Sequence, residues 1–235
     1  GAASEHITAI AGELMRMGES SGQVKDYMQD ADQTARKFGV SSKKVLEGIS
    51  RNIKKVREMG FVGGEKSLAK MVATAERLRM NVDGIFDMAK RGRTIEGAME
   101  MAADLQLAGG SFANINPMDL LSASRKGPAE LQKILGQMGK DIGHFNKDTG
   151  KFEFEPIDSD RLQMVADATQ VPLEDLQNMI QKNAEDNEKL NMFPDSMFEG
   201  AIDGIKGMDK DLAKSQFADM LERAEDGTIK IKSGS

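Results

Sequence analysis

The chain has 235 residues, 39% of them apolar, and a net charge of −6. That length supports one large or two small domains with a true core, and the acidic balance argues against general affinity for nucleic acid while leaving room for a local basic patch. Cys is absent, which excludes disulfides and thiolate metal sites, and no apolar run reaches the roughly 20 residues that span a bilayer.

Taken in order, Ile7, Ile10, Leu14 and Met17 mark a first helix that ends near Gly18. A more polar second helix runs from Gly22 to Lys37. The stretch Phe38 to Gly60, FGVSSKKVLEGISRNIKKVREMG, then organises the chain. Gly39 can end the preceding helix in a left-handed conformation. Val40 is an apolar anchor, and Ser41 or Ser42 can cap the next helix. Val45, Leu46, Ile49, Ile53 and Val56 fall on one helical face, with Lys43, Lys44, Arg51, Lys54 and Lys55 on the other. The pattern returns at Leu78 to Ala89, with Met80 before Asn81. It returns again at Thr169 to Ile180, with Val171 before Pro172. In each copy apolar residues follow the anchor by five and nine positions. Three turn-plus-helix units are expected, too unevenly spaced for a solenoid.

Between the units, Leu68, Met71, Val72, Ala75 and Leu78 form one helical face, and Ile95, Ala98, Ala102 and Leu105 another. Asn116-Pro117 opens a short helix. Gly127-Pro128 opens an amphipathic one through Leu131, Ile134, Leu135, Met138 and Ile142. The period then changes. Residues 145–154, FNKDTGKFEF, predict a β-hairpin with Gly150 at positive φ. Asp158 or Ser159 should cap the following helix. Pro194-Asp195 should open a helix with Phe198, Ala201, Ile202 and Ile205. Asp209 should cap the last one, through Leu212, Phe217, Met220 and Leu221. Thr228 to Ile231 reads as a final strand, expected to complete a three-stranded sheet with the hairpin. The fold class is therefore mainly α: an irregular multi-helix bundle with one small β-hairpin or three-stranded sheet, in a single domain over residues 1–235. Gly-Ala-Ala-Ser at the start and Ser-Gly-Ser at the end read as cloning remnants, compatible with a segment excised from a longer chain.

Catalytic signals are weak. Gly60 to Ser67 approaches the phosphate-loop pattern GxxxxGK[ST], but Glu65 stands where the second Gly belongs and a helix precedes it. Ser41 to Lys44 fits S-x-x-K without its partner motifs. His6 and His144 have no metal-ligand spacing, and His144 reads as a helix-end residue. Asn146, Asp148 and Gly150 fail the calcium-loop offsets. No catalytic, cofactor or metal site is expected. The sharper rival is Gln33 to Asn52, QTARKFGVSSKKVLEGISRN, which reads like a DNA-binding helix-turn-helix whose Lys43, Lys44, Arg51 and Lys54 could meet phosphates.

Residues from about Phe38 to Asn183 resemble a region of phage tail tape measure proteins. The stretches that carry the resemblance are FGVSSKKVLEGISRNIKKVREMGF, then GGEKSLAKMVATAERLRMNVDGIFDMAKRGRTIEGAMEMAADLQLAGGSFANINPMDLL, then GHFNKDTGKFEFEPIDSDRLQMVADATQVPLEDLQNMI. Their order persuades more than any one motif. The resemblance implies a structural, non-enzymatic virion protein made in the host cytoplasm. It would sit in the tail lumen, set tail length during assembly, contact tail tube and tail tip proteins, and leave ahead of the genome during infection. Self-association is compatible with it; cofactors and nucleic-acid binding are not expected from it. The helix-turn-helix nucleic-acid-binding module remains the alternative.

Overall fold

The computed structural model describes residues 2–62, 64–138, 141–146, 149, 151–191, 214, 217, 220–223 and 229–231. Among the described residues ten α-helices have defined bounds: α1 (Ala2–Arg16), α2 (Ser21–Lys37), α3 (Ser42–Met59), α4 (Lys66–Leu78), α5 (Val82–Gly92), α6 (Ile95–Leu107), α7 (Pro117–Lys126), α8 (Pro128–Met138), α9 (Pro156–Thr169) and α10 (Leu173–Asn191). Two short antiparallel pairs accompany them, β1 (His144–Asn146) with β2 (Lys151–Glu153) and β3 (Leu221–Arg223) with β4 (Ile229–Ile231). The mainly α reading holds.

Local sequence starts most of these helices. A capping box opens α2: Gln23 N–H donates to Ser20 Oγ at 3.3 Å, and Ser20 N–H donates to Gln23 Oε1 at 2.8 Å. Asn81, Thr94 and Asn116 accept first-turn N–H groups at 2.9, 3.0 and 2.9 Å to open α5, α6 and α7. Ser41 holds the cap position of α3 with an extended backbone but makes no side-chain cap bond. At α9 the expected cap is displaced. Glu155 is the cap residue and Pro156 fills the first turn, while Asp158, three residues inside, reaches back to accept Glu155 N–H at 3.0 Å.

The three units are real and share one geometry. Gly39, Arg79 and Gln170 stand in the left-handed region at φ of 65°, 57° and 62°. Val40 N–H donates to Ala35 C=O at 3.0 Å and Met80 N–H to Ala75 C=O at 2.9 Å, the six-to-one bond that closes a helix C-terminus. The third unit closes differently. Thr169 Oγ1 donates to Val165 C=O at 2.7 Å and accepts Val171 N–H at 3.3 Å. The residues five and nine after each anchor are buried in every copy: Val45 and Ile49, Ile85 and Ala89, Leu176 and Ile180. A fourth copy sits between α1 and α2, where Gly18 has φ 93° and Glu19 N–H donates to Leu14 C=O at 3.1 Å.

The core is one contiguous cluster running from Ile10 to Ile180. Helix α4 is central, packing on α2, α3, α5, α8 and α10. Seven of its residues are buried, three of them alanines whose small side chains let neighbours close in. Units two and three dock at their turns. A Cβ built on Gly84 of α5 would lie 2.7 Å from Pro172 Cδ, Asn81 N–H donates to Asp175 Oδ2 at 2.9 Å, and Asn178 Nδ2 donates to Arg79 C=O at 3.2 Å.

Three expectations need correction. Helix α8 ends at Met138, so Ile142 is buried but lies beyond it. Leu221, expected on the last helix, is in β3. The three-stranded sheet does not form: β1 pairs with β2 in register Phe145 to Phe152, and β4 pairs with β3 in register Glu222 to Lys230. Closing a short local loop costs less chain entropy than recruiting a strand from mid-chain. Lys214 and Phe217 are helical, whereas Gly150, the stretch from Pro194 to Leu212, and Thr228 lie outside the described residues.

The exposed, non-Gly Arg79 in the left-handed region yields a test. Arg79→Gly should stabilise the protein by about 0.5–1 kcal/mol, because relief of the Cβ clash exceeds the entropy Gly loses on folding. Gly39→Ala should destabilise by about 1 kcal/mol. Urea unfolding at constant slope measures both.

Candidate nucleic-acid interface and polar clusters

The four candidate phosphate contacts all lie exposed on α3, and the helix-turn-helix geometry from α2 through Gly39 to α3 is present. Their charges are largely spoken for. Lys44 pairs with Glu76 at 3.4 Å, Arg51 with Glu47, and Lys54 with Glu58 at 3.7 Å. Lys43 alone among the four has no acidic partner among the described residues. Beside them runs a groove of about 500 Å³ between α3, the end of α4 and the start of α5. Lys55 lies in it, 2.5 Å from Asp83 and 5.6 Å above the Phe86 ring. The groove thus sets Lys44, Arg51 and Lys55 against Glu76, Glu47 and Asp83. A neutral lining of that kind offers little net attraction to a phosphate backbone. Helix α3 is also flanked by α1 and α4, tied to α1 by Arg57–Glu13 at 2.7 Å. Exposed pairs of this sort contribute roughly 0–1 kcal/mol each and serve mainly to balance charge.

The remaining motifs resolve as structure. Ser67 Oγ donates to Gly64 C=O at 2.9 Å within the turn that precedes α4. His144 is not at a helix end; it sits in β1, its Nδ1 3.9 Å from Glu155. Asn146 Nδ2 donates to both Glu153 carboxylate oxygens at 3.1 Å, and Asn146 Oδ1 accepts Thr149 N–H at 3.2 Å. These bonds hold the hairpin. Among the described residues no three His, Cys, Asp or Glu are grouped to hold a metal ion, and no helix is long and apolar enough to cross a membrane.

Reading the residues in order missed a set of arginines, four of them half-buried and the fifth, Arg125, exposed. Arg77 donates to Asp186 at 2.7 Å and to Phe38 C=O at 3.4 Å, with Lys182 on the same Asp186 at 2.9 Å. Arg161 donates to Ala108 C=O at 2.9 Å, Gly109 C=O at 3.3 Å and Asp141 Oδ2 at 2.9 Å, while Ser111 N–H and Oγ also donate to Asp141. Arg91 reaches Ala168 C=O and Asp104, Arg93 reaches Met59 C=O, and Arg125 reaches Arg93 C=O. The only signal in the sequence is the arginine itself, since every partner carbonyl but Arg91's Asp104 is backbone or distant in the chain.

Burial pulls the carboxyls of Asp186 and Asp141 upward, but their hydrogen bonds and neighbouring cations outweigh it and hold both below the ordinary aspartate range. Asp175 moves the other way, raised by burial and the adjacent Glu174 against the single Asn81 N–H bond. No protein-family model, curated protein or solved structure matches the chain.

The signs follow from linkage. Asp186 and Asp141 contribute stability that is full above the unfolded aspartate pKa and is lost as pH falls through their lower folded values. Asp175 binds its proton more tightly when folded, so its contribution declines as pH rises through its raised value. Stability should therefore drop below about pH 4. Arg77→Met should cost about 3 kcal/mol at neutral pH, since Asp186 is left buried with one partner. Asp175→Asn should be neutral or stabilising near pH 7 and lose any gain in acid. Urea midpoints across the pH range measure all three.

Proposed function

We propose that the chain is a folded, non-enzymatic structural element of a phage tail tape measure protein. It would be made in the host cytoplasm and carried in the tail lumen, where it contacts tail tube and tail tip proteins during assembly and leaves ahead of the genome. One observation supports this reading above the others. The stretches that resemble that family fall, in the same order, on successive junctions of one packed body. The first covers the α2–α3 turn and α3. The next includes the α4–α5 turn, the Gly109-Gly110 end of α6 and the Asn116 cap of α7. The last spans the β1–β2 hairpin and the Thr169–Pro172 turn. The order of motifs is thus the order of capping and turn devices that bring residues 38–183 together.

The second reading, a helix-turn-helix nucleic-acid module, draws on the geometry of α2, Gly39 and α3 and on unpaired Lys43. The ion pairs of Lys44, Arg51 and Lys54 weigh against it.

Two measurements decide. In the virus that encodes the chain, its peptides should be found in purified tails, and in-frame deletion of residues 38–183 should shorten the tail by up to about 1.5 Å per residue removed, the rise of a helical ruler. Tails that lack the protein altogether would refute the reading. In a gel shift near physiological salt, no submicromolar duplex binding is expected; such binding, lost on K43E, K44E and K54E together, would establish the second reading instead.

A further inference from the structure

Helix α6 turns an apolar row to solvent. Ile95, Met99 and Leu107 are 58%, 54% and 74% exposed, and Ala103, also exposed, completes a run with a spacing of four. Its opposite face, with Ala98, Met101, Ala102 and Leu105 buried, already packs on α7 and α9. Among the described residues, nothing covers the exposed row. A second row, Glu96, Glu100 and Asp104, runs parallel to the first along one border. The other border carries neutral Gln106, whose Nε2 donates to Ile115 C=O at 3.0 Å. Two cations stand beside the acidic row: Arg91, 3.1 Å from Asp104, 4.0 Å from Glu100 and also engaged with Ala168 C=O, and Lys90, which with Asp87 lines the same pocket as Glu96 and Glu100. Past Leu107 the row opens into a shallow cavity of about 580 Å³ against Met164 of α9.

We propose that this face of α6 docks an amphipathic helix of another protein, one whose apolar residues recur every four positions and whose single border is lined with Lys or Arg. Rows with a spacing of four on both helices interlock at a crossing angle near −50°. The charge pattern selects the partner. A basic border would neutralise Glu96, Glu100 and Asp104, which with Asp87 outnumber Lys90 and Arg91, and would add orientation to the apolar contact. A second copy fits poorly. A two-fold axis relating antiparallel α6 helices brings the two acidic rows to the same edge, and a parallel pair aligns the helix dipoles unfavourably. The inference does not depend on the tape measure reading, because the surface exists whatever the parent protein is.

The test uses the whole chain and two synthetic peptides of about 18 residues, long enough to form a helix on the surface. Both carry Leu every fourth position; one has Lys along one border, the other Glu. Fluorescence anisotropy should show the Lys peptide binding at least about tenfold more tightly than the Glu peptide at low salt, with the gap narrowing as salt is raised. Met99→Glu should abolish binding of both. Glu96→Lys with Glu100→Lys should abolish the preference for the Lys peptide while keeping apolar affinity. All three positions are exposed, so the variants should keep the parent circular dichroism and melting temperature. Equal binding of the two peptides, binding of neither, or binding that survives Met99→Glu overturns the proposal. So does a dimer in sedimentation velocity that Met99→Glu dissociates, which would assign the face to a second copy.

Discussion

Six helix C-termini in this protein are closed by a side chain that arrives from another element. Arg77 meets the end of α2 at Phe38, Arg93 the end of α3 at Met59, Asn178 the end of α4 at Arg79, Arg125 the end of α5 at Arg93, Arg161 the end of α6 at Ala108, and Arg91 the end of α9 at Ala168. The constraint behind this is general. The last carbonyls of a helix have no partner within it, and the negative end of the helix dipole gathers there. Where the closing bond is half-buried, as at Phe38, Met59, Ala108 and Ala168, water serves the helix end poorly and an unmet carbonyl costs about 1–3 kcal/mol. The bonds at Arg79 and Arg93 are exposed. Arginine suits the place, because its fork can serve two oxygens at once and stays charged. Arg161 does so between the end of α6 and Asp141, tying α9 to the loop before β1.

These clamps explain why the bundle is irregular. A solenoid repeats one interface between equal units. Here the turn repeats but its docking partner does not. Arg77, at the end of α4 in the second unit, reaches the turn of the first at Phe38 and the helix of the third at Asp186. Asp175 and Asn178, on that third helix, hold the second unit's cap and turn. Three copies of one local device are thus fixed by three different sets of side chains.

What could be read in the sequence divides along the same line. The turn was legible from its apolar anchor and cap, which lie within a few positions and answer to local sterics, but its left-handed residue was legible only at Gly39, because Arg79 and Gln170 take that conformation without being Gly. Its fourth copy at Gly18 escaped because Glu19 stands where the anchor is apolar elsewhere, although the backbone bond to Leu14 is the same. The cap of α9 escaped because Asp158 acts backward from inside the helix. The sheet was misjudged for a different reason. Alternating Ile229 and Ile231 reports which face is apolar, and says nothing about which strand lies alongside. Of the candidate interface, the basic face of α3 was visible, and so were its own Glu47 and Glu58, four positions from Arg51 and Lys54, but Glu76 and Asp83, which pair with Lys44 and Lys55, come from α4 and α5. The clamps were invisible for want of any local pattern: Phe38 and Arg77 are 39 positions apart, and Arg77 and Asp186 are 109 apart.

Helix α6 carries that limit one step further. Its sequence, IEGAMEMAADLQL, is apolar around most of its circumference, so periodicity does not decide which side is buried. Counting Ile95 with Ala98, Ala102 and Leu105 made one plausible face, yet Ile95 is more than half exposed. On the side that packs against α7 and α9, Ala98 and Ala102 are buried together with Met101 and Leu105, and a Cβ built on Gly97 would overlap Arg91 C=O at the end of α5. Among the described residues, only one of the two apolar faces of α6 is covered. The side that packed internally carries Ala98, Met101, Ala102 and Leu105, and Ile95, Met99, Ala103 and Leu107 stand outward beside a row of carboxylates. Burial of that row against a second, identical surface would set like charges together. The same placement that completes the core therefore leaves a surface whose electrostatics favour an unlike, basic neighbour.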